Sequence, residues 1–228
     1  MRTSDPTASQ AEPELHRFTV EEYMRLGESF PRSELLDGLI FDKPRGREPE
    51  LHRFTVEEYM RFGEDFPPSE LLDGLIYDMA PVNRAHAHAV RVLLDELVYG
   101  LHGGPYCVEI GSTVAMQGWQ GRWGPEPDVA VLYDEKYTKA PMAENTVAII
   151  EVSESTYAWD RKHKIPIYVA SGVPTWQVNL NARQVEYYAS PKDLEAPVVF
   201  VEGDTFEVLG VRIPVASLLL PVQESPDA

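Results

Sequence analysis

The apolar positions Val90, Leu93, Leu94, Leu97, Val98 and Leu101 recur at three- and four-residue spacing. That is one stripe of an α-helix. Asn83 is placed to cap its start, and Gly103-Gly104 to stop it. The pattern then changes. "YCVEIGSTVAM" (106–116) predicts a strand, and "GWQGRWGPE" (118–126) a loop. "PDVAVLY" (127–133) and "TVAIIEVS" (146–153) are short apolar runs of the buried-strand type. A helix is expected over 157–171, disturbed by Pro166, which cannot donate a backbone hydrogen bond. "TWQVNL" and "QVEYYA" predict a hairpin around Asn181, and "PVVFVEGDTFEVLGV" predicts further β-structure.

Upstream, the pattern repeats. "EPELHRFTVEEYMRLGESFPRSELLDGLIFD" (12–42) returns as "EPELHRFTVEEYMRFGEDFPPSELLDGLIYD" (48–78), with changes only at Leu26/Phe62, Ser29/Asp65, Arg32/Pro68 and Phe41/Tyr77. Two copies are too few for a solenoid. Each encodes a small unit. Thr55 and Glu58 form a capping box with Phe54 and Tyr59 as its hydrophobic staple, and Gly63 ends a short helix. Asp73-Gly74 between apolar runs then signals a tight hairpin. Thr19, Glu22, Asp37 and Gly38 repeat the same features. The second copy continues into the rest of the chain, so it is expected in the native slot. The first is expected to dock on a sheet edge, to exchange into another protomer, or to stay loosely attached. The predicted organisation is a tail and first copy with linker over 1–47, a mixed α/β (α+β) domain over 48–221, and a tail over 222–228.

Composition narrows the class. The chain has 228 residues, 43% of them apolar, enough for a sizeable core. No apolar run reaches the length of a membrane span, and the polar N-terminus lacks a signal core. With Cys107 as the single cysteine, no internal disulfide can form. A cytoplasmic protein without membrane partners is expected. The net charge of −17 speaks against a passive nucleic-acid binder built on basic surface. It leaves room for an enzyme whose carboxylates hold cations that meet phosphates.

Candidate chemistry sits at strand ends. Asp128 opens one apolar strand and Glu151 closes another. Ionised carboxylates in buried strands are costly without a partner. A divalent cation between two of them removes that cost, and hard oxygen donors suit Mg²⁺ or Mn²⁺. Lys164 lies four residues after Asp160 on one helical face. It can reach the pair if this helix packs behind the Glu151 strand. Two acids, a metal and an ammonium are the parts of a phosphodiester-hydrolysing site.

The order "EPDVAVL", "AIIEVSEST", "DRKHKIPIYVASGVPTW", preceded by "ELLDGLIYDMAP" and histidines in the next helix, resembles the Uma-type restriction endonucleases of bacteria. These belong to the PD-(D/E)XK nuclease superfamily. The resemblance spans about residues 53–190. It implies a restriction-endonuclease-like mixed sheet flanked by helices, acting on DNA as a Mg²⁺- or Mn²⁺-dependent endonuclease. It implies Asp128 and Glu151 as metal ligands, with the backbone carbonyl of Val152 as a third, and Lys164 as the catalytic lysine. The superfamily's usual lysine position, two residues after the second acid, is Ser153 here. Glu70 matches an acid of the family's opening hairpin, which the resemblance offers as a further ligand. Leu75 replaces a frequent acid, Pro166 is unusual in the helix, and "GVPTWQVNL" is one residue short.

Plainer readings stand beside these. Asp160 and Lys164 can form only an i,i+4 ion pair. Glu70 reads first as a solvated hairpin-edge carboxylate, and His86 as a satisfied structural histidine that could also approach the cleft from its helix N-terminus. Arg122 and Trp123, with Trp119, either contact nucleic acid by stacking and phosphate pairing or simply pin their loop. Tyr168, Trp176 and Cys107 read as core. The function alternative is a catalytically degenerate nuclease-fold module in nucleic-acid or protein interaction; a third reading is an acidic oligomeric scaffold built on the extra copy, such as a homodimer.

Overall fold

The computed structural model describes residues 12–26, 30, 32–63, 66–79, 81–116 and 121–221. The chain forms two compact units. One holds Pro13–Ala80 and Ala115–Pro125; the other holds Pro81–Val114 and Glu126 onward. The expected boundary at 47/48 does not separate them, because both sequence copies lie in the first unit. Trp119 falls outside the described residues.

The first unit contains α1 (Val20–Leu26), β1 (Ser33–Leu36), β2 (Leu39–Asp42), β3 (Glu50–Leu51), α2 (Val56–Tyr59), β4 (Ser69–Leu72) and β5 (Leu75–Asp78). Both short helices start with the expected reciprocal cap. Thr19 N–H donates to Glu22 Oε2 at 2.7 Å and Glu22 N–H donates back to Thr19 Oγ1 at 3.2 Å. Thr55 and Glu58 do the same at 2.8 and 3.2 Å. Each hairpin turns on an Asp-Gly pair at positive φ: 47° and 72° at Asp37-Gly38, 48° and 74° at Asp73-Gly74. That backbone matches the twist of the strands it joins. Strands β1, β2 and β3 form one small sheet, and β4 and β5 another. Phe18, Phe30 and Ile40 of the first copy share one core with Phe54, Tyr59, Leu71 and Ile76 of the second. The first copy is therefore docked, not loosely attached. The glycine-rich loop runs beside β4: Gly124 N–H donates to Leu71 O at 2.9 Å, and Gly74 N–H donates to Arg122 O at 2.8 Å.

The second unit contains α3 (Arg84–Gly100), β6 (Tyr106–Glu109), β7 (Val129–Tyr133), β8 (Thr146–Ser153), α4 (Tyr157–His163), α5 (Ile165–Ala170), β9 (Thr175–Asn179), β10 (Gln184–Tyr188), β11 (Val198–Val201), β12 (Thr205–Val208) and β13 (Val211–Pro214). Six strands form a sheet in the order β11-β10-β9-β8-β7-β6. Every neighbouring pair is antiparallel except β8 and β9, which are parallel. A parallel pair needs a crossover, and α4 with α5 supplies it.

Alternation along β8 divides its residues between two environments. Ala148, Ile150 and Val152 join the core built on Ala89, Leu93 and Leu97 of α3. Glu151 and Ser153 hydrogen-bond or ion-pair with side chains of α4 and α5 and the residue between them. The buried stripe of α3 is Ala89, Leu93, Leu97 and Leu101, while Val98 is half exposed. The sequence stripe was drawn one position too wide on that side, since periodicity marks a face without marking its edge. The expected single helix over 157–171 is two, with Lys164 at the junction and Pro166 at the start of the second. Cys107 is not core: it is half-buried on the edge strand β6.

Gly74 offers a test of the hairpin reading. A Cβ there would lie 2.8 Å from Arg53 Cβ and 3.1 Å from Arg53 Cα, at φ +74°. Gly74→Ala is expected to destabilise the protein by roughly 1–2 kcal/mol from the left-handed backbone and the clash together. Gly63→Ala, at φ +76° with nothing within 4 Å, should cost less. Chemical denaturation of both variants checks the order; equal losses would show that the close approach to Arg53 is relieved without cost.

Candidate active site

Four charged side chains meet where β7, β8 and the α4–α5 junction converge. Glu151 sits two residues before the end of β8, opposite Gln177 of β9, and is 2% exposed. Lys164 is 5% exposed, held in the helix break, with its backbone N–H donating to Asp160 O at 2.8 Å. Its Nζ lies 3.0 Å from Glu151 Oε1 and 3.9 Å from Asp160 Oδ1. Asp128 immediately precedes β7 and is turned toward β8, its Oδ2 accepting from Val152 N–H at 2.7 Å.

The partners of these groups assign them different work. Asp160 Oδ2 accepts from Ser153 Oγ and from Thr156 Oγ1, both at 2.8 Å. Gln177 Nε2 donates in turn to Ser153 Oγ at 3.2 Å. Asp160 is thus a fastened carboxylate beside Lys164. Glu151 Oε1 accepts from Tyr168 Oη at 2.6 Å. Burial pushes the Glu151 carboxyl well above the usual carboxylate range; Lys164 and the Tyr168 hydroxyl pull it back, while the negative charges of Asp128 and Asp160 push it further. The two acids sense each other electrostatically.

His86 completes the cluster from the first turn of α3. Asn83 Oδ1 accepts from His86 N–H at 2.9 Å, which caps the helix and orients its first turn. His86 Nε2 lies 2.9 Å from Asp128 Oδ1. Burial alone would lower the imidazole's pKa; the hydrogen bond and charge of Asp128, helped by Asp160, outweigh it and leave the pKa raised. Its buried Nδ1 has no hydrogen-bond partner among the described residues.

Of the residues singled out in the sequence, Asp128, Glu151, Val152, Asp160, Lys164 and His86 come together. Val152 touches Asp128 through its N–H. Glu70, Arg122 and Trp123 belong to the other unit. Glu70 is 6% exposed on β4, so the reading of a solvated edge carboxylate is corrected. Arg122 and Trp123 use their carbonyls to accept from Gly74 and Met116 at 2.8 and 2.9 Å. His86 is bound to an acid of the cluster, which the plain structural reading did not foresee. Tyr168 was read only as core, yet Asp160, Lys164 and Tyr168 stand four apart; that spacing could have placed its hydroxyl on the same helical face. Gln177 carried no signal, because its bond to Ser153 depends on the β8–β9 register, whereas Thr156 reaches Asp160 locally, four residues on.

Two carboxylates beside a buried lysine offer oxygen donors of the kind a hard divalent cation takes, completed by water. Among the described residues no three His, Cys, Asp or Glu side chains form a ready metal cluster. The donor set suits a divalent cation held by two acids rather than a caged site made wholly of side chains.

A mixed sheet with two acids on adjacent strands and a buried lysine beside them is the arrangement of a PD-(D/E)XK-type nuclease. A family model described as Uma2, "Putative restriction endonuclease", matches residues 56–216, and the chain belongs to that family. A solved structure titled as a putative nuclease belonging to DUF820, from Anabaena variabilis, has a similar fold: TM-score 0.58 at 14% identity, covering 72% of this chain and 97% of that one. Among curated proteins, none matches. Among the described residues, no helix is long and apolar enough to cross a membrane.

The His86–Asp128 contact carries a pH signature. A histidine whose folded pKa is raised contributes stability that is fully present below its unfolded pKa, near 6.5, and is lost as pH rises through the folded value. His86→Ala is therefore expected to lose about 1 kcal/mol more, relative to the parent, at about pH 5.5 than at about pH 8.5. Urea denaturation at both pH values checks this. A gap that is constant, or larger at high pH, would mean that the pair does not hold the proton.

Proposed function

We propose that the chain is a metal-dependent endonuclease that hydrolyses phosphodiester bonds in DNA. The observation that carries this reading is Lys164 Nζ at 3.0 Å from the buried Glu151, with Asp128 held against the neighbouring Val152 N–H at 2.7 Å. Asp128 and Glu151 would hold Mg²⁺ or Mn²⁺, with the Val152 carbonyl as a further oxygen donor. Bound there, the cation supplies Lewis acidity toward a phosphate oxygen and lowers the pKa of a coordinated water.

The chain's own residues do the rest. Lys164, steadied by Glu151 and by the fastened Asp160, presents a fixed ammonium toward the negative charge that develops on the phosphate. Tyr168 holds Glu151 by its Oε1, which sets the carboxylate's orientation. His86 holds Asp128 Oδ1, and Val152 N–H holds Oδ2. Both oxygens of Asp128 are therefore positioned before any cation arrives. The net charge of −17 leaves phosphate attraction to the bound cation and to local groups. Arg122 and Trp123 remain candidates for nucleic-acid contact.

A second reading, a nuclease-fold module without activity, is favoured by one observation: both Asp128 oxygens already have protein partners. Two measurements separate the readings. In Mg²⁺ or Mn²⁺, the purified chain is expected to cleave plasmid or single-stranded DNA. Asp128→Asn and Glu151→Gln, shown folded by circular dichroism, should each lower the rate at least about 100-fold. Calorimetric titration with Mn²⁺ should give a saturable heat that Asp128→Asn abolishes. Cleavage that survives both substitutions removes the mechanism; no Mn²⁺ heat and no cleavage leaves the module.

A further inference from the structure

The two sequence copies, 36 residues apart, pack on each other about an internal two-fold. Among the described residues, several kinds of cross-copy contact have a counterpart with the roles exchanged, while Phe18–Phe62 at 5.9 Å has none, because Leu26 stands at the equivalent position. His16 Nδ1 meets Asp78 Oδ1 at 2.6 Å, and His52 Nδ1 meets Asp42 Oδ2 at 2.9 Å. His16 N–H donates to Ile76 O, and His52 N–H donates to Ile40 O, both at 2.8 Å. Leu15 pairs with Tyr77, and Leu51 pairs with Phe41. The His16 ring lies 4.7 Å from Phe66, and the His52 ring 4.6 Å from Phe30. Phe18 and Phe54, equivalent to one another, meet at 5.5 Å, as residues on a two-fold must. A void of about 20 Å³ is lined by Leu15, His16, Phe18, Leu39 and Ile40 and by their five equivalents in the other copy.

An arrangement in which i meets j while j meets i is isologous, the geometry of a two-fold homodimer. Its defining property is self-complementarity. The face that the second copy offers to the first is met by residues that the second copy itself carries. The paired His, Asp, Phe and Ile residues of this face are identical in both copies, and Phe41/Tyr77 exchanges one aromatic strand residue for another. One difference reaches the face: Phe62, which touches Phe18, replaces Leu26 and exchanges one apolar side chain for a larger one. The hydrogen-bonding groups and apolar character of the face therefore suit a second copy of residues 50–78.

We propose that this face is a homodimerisation surface which the first copy occupies within the same chain. With the first copy seated, the chain is monomeric. With the first copy displaced, two chains pair through their 50–78 segments, Leu51 of each facing Tyr77 of the other and His52 facing Asp78. The proposal is independent of the nuclease reading, because none of Asp128, Glu151 and Lys164 takes part.

The test uses the full chain with Cys107→Ser, so that only introduced thiols react. In the parent, sedimentation equilibrium is expected to give the monomer mass of 25.7 kDa. Adding Leu51→Cys and Tyr77→Cys should produce no disulfide, because in the parent these residues pair with Phe41 and Leu15 instead. Phe18→Asp with Ile40→Asp unseats the first copy. In that background the mass should double, and the Leu51→Cys, Tyr77→Cys pair should close a disulfide between chains, since directly opposed antiparallel residues fall within disulfide reach. If that variant loses cooperative unfolding, His16→Ala with Asp42→Ala decides the matter. It removes only the first copy's side of the two cross-copy pairs and leaves residues 50–78 native. A concentration-dependent dimer that forms the Leu51→Cys, Tyr77→Cys disulfide between chains is expected. A folded monomer from the deciding variant, a dimeric parent, or random aggregates without the disulfide would each overturn the proposal.

Discussion

The buried pair of Glu151 and Lys164, 3.0 Å apart and each nearly excluded from solvent, is the constraint around which the sheet unit is arranged. Two ions taken out of water carry a desolvation penalty that their attraction offsets only with further hydrogen bonds. Those bonds come from several elements. Tyr168 of α5 reaches Glu151, and Asp160 of α4 lies beside the ammonium. Ser153 and Thr156 hold Asp160, and Gln177 holds Ser153. The network requires β8 and β9 to be parallel and in their observed register, because Glu151 and Ser153 stand directly opposite Gln177 and Asn179. It also requires a helix break at Lys164. In one unbroken helix Pro166 would lack a donor and clash with the preceding turn; at the start of a second helix it is tolerated.

The proline that departs from the family pattern therefore sits where the backbone needs to restart. A network this dependent on register would gain little as mere reinforcement, since well-packed apolar residues stabilise a core as effectively. Burial raises the Glu151 carboxyl, Lys164 pulls it back, and the charges of Asp128 and Asp160 push it further up.

Much of this was legible in the sequence. The acid, acid, lysine order was, because apolar strands interrupted by single carboxylates are rare enough to draw notice. So were the capping boxes and Asp-Gly turns, since their chemistry is local and completed within four residues. His86 was partly legible: its approach to the cleft from a helix N-terminus was one of two readings, but its partner was not, because Asp128 is 42 residues away and neither segment encodes the pairing. Tyr168 was half legible: its spacing was visible, but an aromatic between isoleucine and valine looks like packing. Glu70 misled in the opposite direction. A glutamate beside a tight turn suggests solvent, and its burial depends on the strand's surroundings.

Those surroundings can be compared within this chain, because Glu34 is the exact sequence equivalent of Glu70. The tetrapeptide SELL forms β1 and β4 alike, and each pairs with its own hairpin partner in the same register. Yet β4 is buried at all four positions, while β1 is at most half-buried. Glu34 pairs with Lys43 near the surface; Glu70 is enclosed. The difference arises outside the repeats, where the loop at 121–124 lays its backbone along β4 and the second turn. The copies are thus nearly equal where they face each other, Phe62 against Phe18 being the exception, and unequal where the rest of the unit meets only one of them. Local sequence determines the helix, the turn and the mutual face. Context decides which copy becomes interior. That division is what a duplicated unit should show if the second copy was already built into the fold and the first was added against its self-complementary side.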